Sequence, residues 1–448
     1  MIGPRRIGLA LILAATVVAG FAYGVAMERT KVFPYGALRT AYQAAKSVAR
    51  PAPPLRRGRW RRHEVHQDQP NLTQKQLARI ERLETMAYLS GSRPASEHSG
   101  VTVYDPTRAW NGLNLIVSGH AAWAGLMDMN GNVLHEWRRE FRDVWPDNPI
   151  SDDAVGTHHW HHVYLYENGD ILAVFQGIGL IKLDSESNLL WERPGGYHHD
   201  LKVVGDGSIY ILEQKAHVVP RWSPEHPVLE NYVTVLDGEG HARRRASLLT
   251  AFDNSPYSPT LKWAPTKGDP FHSNSIQLLD GTLSDRLPAF RAGNVLVSIR
   301  ELDTIAVIDL DAERVMWAMS GLWSRQHDAT LLPNGRILLF DNHHKPGVSE
   351  VLEFDPFSQG VEWSYAGSDE RPFYSETVGT NQRLPNGNTL IVESDNGRAL
   401  EVTTDGTTAW EYVSPYRAGE ANELIATLFD VVRLPRDFPA DWIQGADR

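Results

Sequence analysis

Residues 327–367 read HDATLLPNGRILLFDNHHKPGVSEVLEFDPFSQGVEWSYAG. Apolar or alternating runs of strand length are separated by Pro333-Asn334-Gly335, Pro346-Gly347 and the stretch Asp355 to Gly360, all of which are turn chemistry. The pattern is an inner strand, a turn, an apolar strand, and a hairpin that closes on a tryptophan. It recurs along the chain at irregular spacing. Residues 161–193 (HHVYLYENGDILAVFQGIGLIKLDSESNLLWER) and 381–413 (NQRLPNGNTLIVESDNGRALEVTTDGTTAWEYV) are full copies. Residues 199–214 resume after an insertion at 232–245, and HSNSIQLLD (272–280) is separated by a loop from residues 293–321. Residues 113–138 make an incomplete first copy, which brings the total to six.

Each copy is long enough for four short strands. A four-stranded sheet repeated radially hides its edges by closing into a ring, so the repeat predicts an all-β, six-bladed β-propeller over 110–448. The first copy lacks one strand, and the expected donor is the C-terminal segment. Trp137, Trp191, Trp317, Trp363 and Trp410, which close five copies, are expected to fill the wedges between blades rather than to do chemistry.

Ahead of the repeats, Ile7 to Met27 is an uncharged run of 21 residues preceded by Arg5 and Arg6, long enough to cross a bilayer as a helix. It is read as a signal anchor within residues 1–30. Ala22-Tyr23-Gly24 keeps a cleaved signal peptide as the competing reading. Residues 31–109 form a basic linker with one amphipathic helix: Thr73 is placed as N-cap, Leu77, Ile80, Leu83 and Ala87 recur at helical spacing, and Gly91 stops it. The basic run after Pro51 suits anionic headgroups as well.

Residues 1–63 carry 12 Lys/Arg and one acid, so a chain of net charge −11 has a body of about −22. An acidic body with no basic stripe is not expected to bind nucleic acid. The chain has no cysteine, which excludes thiolate nucleophiles, thiolate metal sites and disulfides, and leaves the compartment open.

In three copies, counting eight residues back from the turn glycine lands on a histidine. Gly335 leads to His327, Gly207 to His199 and Gly169 to His161; His272 opens the equivalent strand of the fourth copy, and the sixth has Gly379 beside Thr380. The inner strand of every blade lines the axis, so four imidazoles are expected to converge at the mouth of the ring. A single such histidine is as readily a satisfied polar residue between blades, but folding asks for no titratable ring at one repeated position. Arg300, at the end of the second strand of the fourth blade, is placed to hold a tetrahedral oxyanion, with an inter-blade ion pair as its ordinary role. Asn274 shares a strand face with His272. His158, His159, His162, His343 and His344 are expected at the rim or surface. Asp200 and Asp328, which follow two of the ring histidines, are expected to point away from them by strand alternation.

The segments YHHDLKVV (197–204), FHSNSI (271–276), GNVLVSIRELDTIAVID (293–309), SRQHDATLLPNGRILLFDN (324–342) and TNQRLPNGNTLIVES (380–394) resemble the nucleotide-independent bacterial arylsulfotransferases, in particular their shorter propeller-only relatives. The resemblance spans about residues 110 to 415. It implies that His327 accepts the sulfuryl group, that His199 and His272 assist with proton transfer and charge, and that Arg300 and Asn274 hold the sulfuryl oxygens. Thr380 and His161 complete the substrate-binding set. The implied partners are a small aryl sulfate donor and a phenol acceptor, with no cofactor and no metal. A neutral imidazole is a competent nucleophile at neutral pH, and charge spread over three sulfuryl oxygens calls for fixed donors. No phosphate-cradling glycine loop is present.

The longer relatives carry an N-terminal β-sandwich domain and a cysteine pair, and this chain has neither. Because the relatives are exported enzymes, the expected location is the inner membrane, single-pass through 7–27, with the propeller on the periplasmic side. Arg29, Lys31, Arg39 and Lys46 by themselves argue for the opposite orientation. Two other functions stay open at this point. One is a non-catalytic, anchored propeller serving as an accessory or scaffold in a membrane complex. The other is an iron oxygenase with His161, His199, His272 and His327 as ligands, which requires carboxylates behind those rings.

Overall fold

The computed structural model describes residues 60–62 and 98–443, except 153, 267, 420 and 421. The expected anchor over 7–27 and the helix after Thr73 lie outside the described residues. Among the described residues no helix is long and apolar enough to cross a membrane.

Six antiparallel sheets of four or five strands make the six blades of a propeller. Blade 2 is the simplest, with His162–Leu165, Ile171–Phe175, Gly179–Leu183 and Leu189–Pro194 paired in chain order from the axis outwards. Its second strand shows why such segments read as unbroken apolar runs. Ile171, Ala173 and Phe175 pack into a core shared with blade 1, whereas Leu172 and Val174 pack into one shared with blade 3. Both faces of every blade are covered by a neighbour, so strand alternation separates two cores instead of core from solvent. The same holds around the ring, with one apolar cluster between each pair of adjacent blades.

The ring closes as the incomplete first copy requires. Leu428–Arg433, from the C-terminal segment, becomes the inner strand of blade 1 and pairs with Asn114–Ser118. Blade 6 gains a fifth, outermost strand, Gly100–Tyr104, on the edge of Thr408–Val413. Trp60–Arg62 pairs with Leu424–Ala426 in a separate three-stranded sheet. The closing tryptophans do bridge blades: Trp137 Nε1 donates to Gly169 O (3.0 Å), Trp410 Nε1 to Met129 O (2.9 Å) and Trp363 Nε1 to Thr404 O (3.1 Å). Trp137 and Trp410 are fully buried; Trp191, Trp317 and Trp363 are half-buried. The insertion over 214–230 lengthens the second and third strands of blade 3 into a hairpin, Ile209–Val219 and Ser223–Leu236. The 280–292 insertion packs Leu283 against the Gly335 turn, at the end of the ring opposite His327.

Candidate active site

The inner strands place their first residues at one end of the axis, and there the backbone departs from regular strand. His199, His272 and Asp328 are left-handed (φ +53°, +47° and +50°), and the pairing slips between His198 and Leu201, Ser273 and Ser275, and His327 and Thr330. These bulges re-aim the side chains and cancel the alternation that an ideal strand imposes. The imidazoles then meet: His161 and His199 are tilted to each other with ring centroids 4.7 Å apart, and His199 and His272 meet edge to face at 4.9 Å. Gly379 holds the corresponding place in blade 6 at φ +97°, where a Cβ would lie 2.8 Å from the Phe340 ring, so no side chain fits. In blade 1 the place is taken by Phe429, whose ring is 4.5 Å from His161.

His327 is held in one tautomer. Its Nδ1 faces two acceptors, Asn342 Oδ1 at 2.7 Å and Arg325 O at 3.1 Å. The Asn342 amide cannot turn round, because its Nδ2 already donates to Ser375 O (2.9 Å) and Val378 O (2.7 Å). Nδ1 therefore carries the proton, and Nε2 keeps a lone pair. Burial, and after it the Arg300 guanidinium, push the His327 pKa well below the ordinary imidazole range. Burial followed by the neighbouring His161 does the same to His199. Both rings are neutral at pH 7.

His272 takes a carboxylate behind its ring: Nδ1 lies 3.0 Å from Asp269 Oδ2, and its backbone N–H donates to Asp269 Oδ1. Burial works against the Asp269 charge, but the bonds from His272 outweigh it and hold that carboxyl below its usual range. Asn274 spends one amide hydrogen on Gln326 O (2.8 Å) and leaves its buried Oδ1 without a partner. Arg300 is largely buried, pairs with Glu301 at 2.9 Å, and stands close enough to His327 to depress its basicity.

A cavity of about 50 Å³ lies on the axis, lined by His161, His199, Asn274 and His327 together with a second tier of polar groups that includes Thr380. His272 and Arg300 stand behind this lining. The second tier corrects three expectations. Asp200 and Asp328 point into the cavity with the histidines because the bulges turn them inward, and His162 lies in the channel rather than at the rim. His159 is likewise buried, stacked on Phe429 at 4.9 Å. His343 is exposed and His344 half-buried, as expected.

His162, Asp200, Asp328 and Thr380 all stand seven residues before their turn glycines, Gly169, Gly207, Gly335 and Gly387. The repeat therefore marked this tier as clearly as it marked the histidines. Asn342 carried no comparable signal, since it sits on the neighbouring strand 15 residues from the ring that it orients.

The four ring histidines do not form a metal cage. Among the described residues, only Asp341, His344 and Glu350 bring three ligand atoms within 4.8 Å of one another. Of the ring histidines, His272 has a carboxylate partner, whereas His327 is backed by an amide. That is a poor match to the ligand shell of an iron site.

Histidines and an asparagine from several blades thus converge on one cavity at the propeller axis, with Arg300 behind them. The arylsulfotransferase (ASST) family model matches residues 161–415, more than half of the chain. The chain belongs to the arylsulfotransferase family. No curated protein matches it. Among solved structures, a protein of unknown function from Bacteroides caccae is similar at 11% identity and a TM-score of 0.46, covering 71% of this chain and 98% of that one. A streptogramin B lyase is similar at 13% identity and a TM-score of 0.41, covering 75% and 92%. The assignment of the fold rests on the sheet order itself.

Proposed function

We propose that the protein moves a sulfuryl group from an aryl sulfate to a phenolic acceptor through a sulfohistidine at His327. The observation that carries this reading is the pinned ring: Nδ1–H is consumed by Asn342 and Arg325 O, so Nε2 is the lone pair presented by a buried, neutral imidazole. Arg300 supplies the fixed positive charge that a sulfuryl group in transit needs, and Asn274 and Thr380 supply neutral polar contacts. At about 50 Å³ the cavity suits the sulfuryl group, against the ~150 Å³ that admits a benzene ring, so the aryl group lies outside it toward the mouth. Retention by a membrane anchor over 7–27, with the propeller in the periplasm, belongs to the same proposal.

The test is turnover of 4-nitrophenyl sulfate or methylumbelliferyl sulfate with and without added phenol. Release that depends on the acceptor, with one sulfuryl group trapped on the His327 peptide when the acceptor is withheld, supports the reading. No release from folded protein over a panel of aryl sulfates rejects it in favour of an anchored, non-catalytic scaffold.

The orienting role of Asn342 gives a separate expectation. Asn342→Leu should lower kcat by about 10–100-fold, the usual cost of losing a partner that orients a reacting imidazole. Asn342→Asp keeps an acceptor for Nδ1–H while losing the two donors, and should retain more activity than the leucine variant. Equal loss in both variants, measured on protein of matched thermal stability, would show that the amide acts only through packing.

A further inference from the structure

Moving a sulfuryl group between phenols also moves a proton, and the imidazole tier is poorly stocked with one. His199 and His327 are neutral at pH 7, and His162 is also held low by burial. The His327 N–H is engaged at Nδ1 by Asn342, and His198 and His199 share a single hydrogen between their Nδ1 atoms at 2.8 Å.

The second tier is differently made. Three carboxylates, the buried Asp200 and Asp430 and the half-buried Asp328, surround a single ammonium, Lys202. Their compensation is unequal. Asp200 takes Lys202 Nζ at 2.9 Å and the Ile276 N–H at 2.8 Å. Asp430 accepts the Thr380 hydroxyl at 2.8 Å and lies 3.7 Å from His162 Nδ1. Asp328 accepts one backbone N–H, from Asn381 at 2.6 Å, and makes no direct ion pair among the described residues. Blades 4 and 6 bring the uncharged Asn274 and Thr380 to the cavity, and among the described residues its lining holds no Lys or Arg besides Lys202. Three carboxylates and one ammonium leave −2; one proton shared within the group halves that excess, and Asp328, the least compensated of the three, is where it costs least.

We infer that this carboxylate–lysine tier is the proton store of the transfer, and that Asp328, which lines the same cavity as His327, exchanges the proton with the reacting phenols. The inference rests on the sulfuryl-transfer reading above. In the first half-reaction the S–O bond to the aryl oxygen breaks, its electron pair goes to that oxygen, and an N–S bond forms at His327 Nε2. Asp328 protonates the departing oxygen and is left as carboxylate. In the second half, the acceptor phenol gives its proton to Asp328 as its oxygen bonds sulfur, and the N–S pair returns to Nε2. The store falls and rises by one proton per cycle. Burial pushes Asp328 up to about 7 and raises Asp430, so near neutral pH the tier can release and recover one proton.

The experiment has two parts, on the whole protein. Infrared difference spectra between about pH 5 and about pH 9 should show a protonated-carboxyl band titrating near neutrality in the wild type and absent from Asp328→Asn. Absence of such a band in the wild type overturns the inference, whatever the turnover. Asp430→Asn, which removes a negative neighbour, should lower the midpoint of the band and serves also if Asp328→Asn does not fold. An unmoved midpoint counts equally against the store.

The second part compares leaving groups. Phenyl sulfate needs its departing oxygen protonated far more than 4-nitrophenyl sulfate does, so Asp328→Asn should cost about 100-fold with the former and about 10-fold or less with the latter. Equal losses with both esters would mark Asp328 as structural only. Failure of the sulfotransferase reading shows differently, as no release from the wild type with either ester, and the infrared band still decides whether the tier stores a proton.

Discussion

His327→Ala is expected to remove aryl sulfate turnover altogether, by on the order of 10⁴-fold or more. No other group in the cavity replaces it as nucleophile. His199 lies in the same lining, but its Nδ1 is engaged with His198 Nδ1 at 2.8 Å, and the Asn342 cradle that fixes a free Nε2 belongs to His327 alone. The aspartates of the second tier are poor nucleophiles toward an aryl sulfate, since a carboxylate is repelled by the sulfate charge and a protonated carboxyl has no anionic oxygen to attack with. The measurement is initial-rate release of the aryl alcohol at saturating acceptor, with circular dichroism to check folding. Because His327 is buried and bonded, some loss of stability accompanies the substitution, and imidazole in the buffer offers a control: partial rescue restores a nucleophile without restoring the side chain. Retention of more than about a tenth of the wild-type rate would rule His327 out as the covalent carrier.

Arg433→Met carries the largest expected effect on stability. Arg433 sits at the end of the closing strand of blade 1, with its guanidinium fully buried against the carboxylate of Glu401 in blade 6 at 2.9 Å. Its Nε donates to Asn114 Oδ1 at 2.6 Å, and it lies 5.1 Å over the Trp410 ring. One side chain thus ties the C-terminal strand, the first strand of the first copy and the last blade. Removing it leaves the Glu401 carboxylate buried with only the Trp110 N–H and the Asn388 amide for compensation. Breaking a buried pair in this way costs about 3–5 kcal/mol. At about 2.1 cal/mol/K per residue of unfolding entropy, that lowers the Tm of a propeller of this size by about 4–7 °C.

The double variant Arg433→Met/Glu401→Gln should recover part of the loss, because the uncompensated charge is gone while most of the volume remains. Hydrogen exchange in Leu428–Arg433 should rise before exchange in blades 3 and 4, since the seam is where the ring opens. A melting temperature within about 1 °C of wild type would mean that the pair contributes no more than an exposed ion pair does.

Much of this architecture is legible in the chain before any folding is considered. A repeat of inner strand, turn and hairpin, closed by a tryptophan in five of six copies, determines the blades, and the incomplete first copy points to the C-terminal segment as the strand that closes the ring. A histidine eight residues before the glycine in three copies determines what lines the axis. These features are local or periodic, and periodic features survive folding because every blade solves the same packing problem.

What only the tertiary structure decided depends on departures from regular strand and on contacts between distant residues. The left-handed His199, His272 and Asp328 sit in bulges at the strand starts, and those bulges turned Asp200 and Asp328 inward where alternation pointed them outward. Asn342 reached His327 from the next strand, and Arg433 reached Glu401 across the seam. Sequence spacing encodes which residues recur, but a bulge changes which way they face, and pairing across a closed ring changes which of them meet.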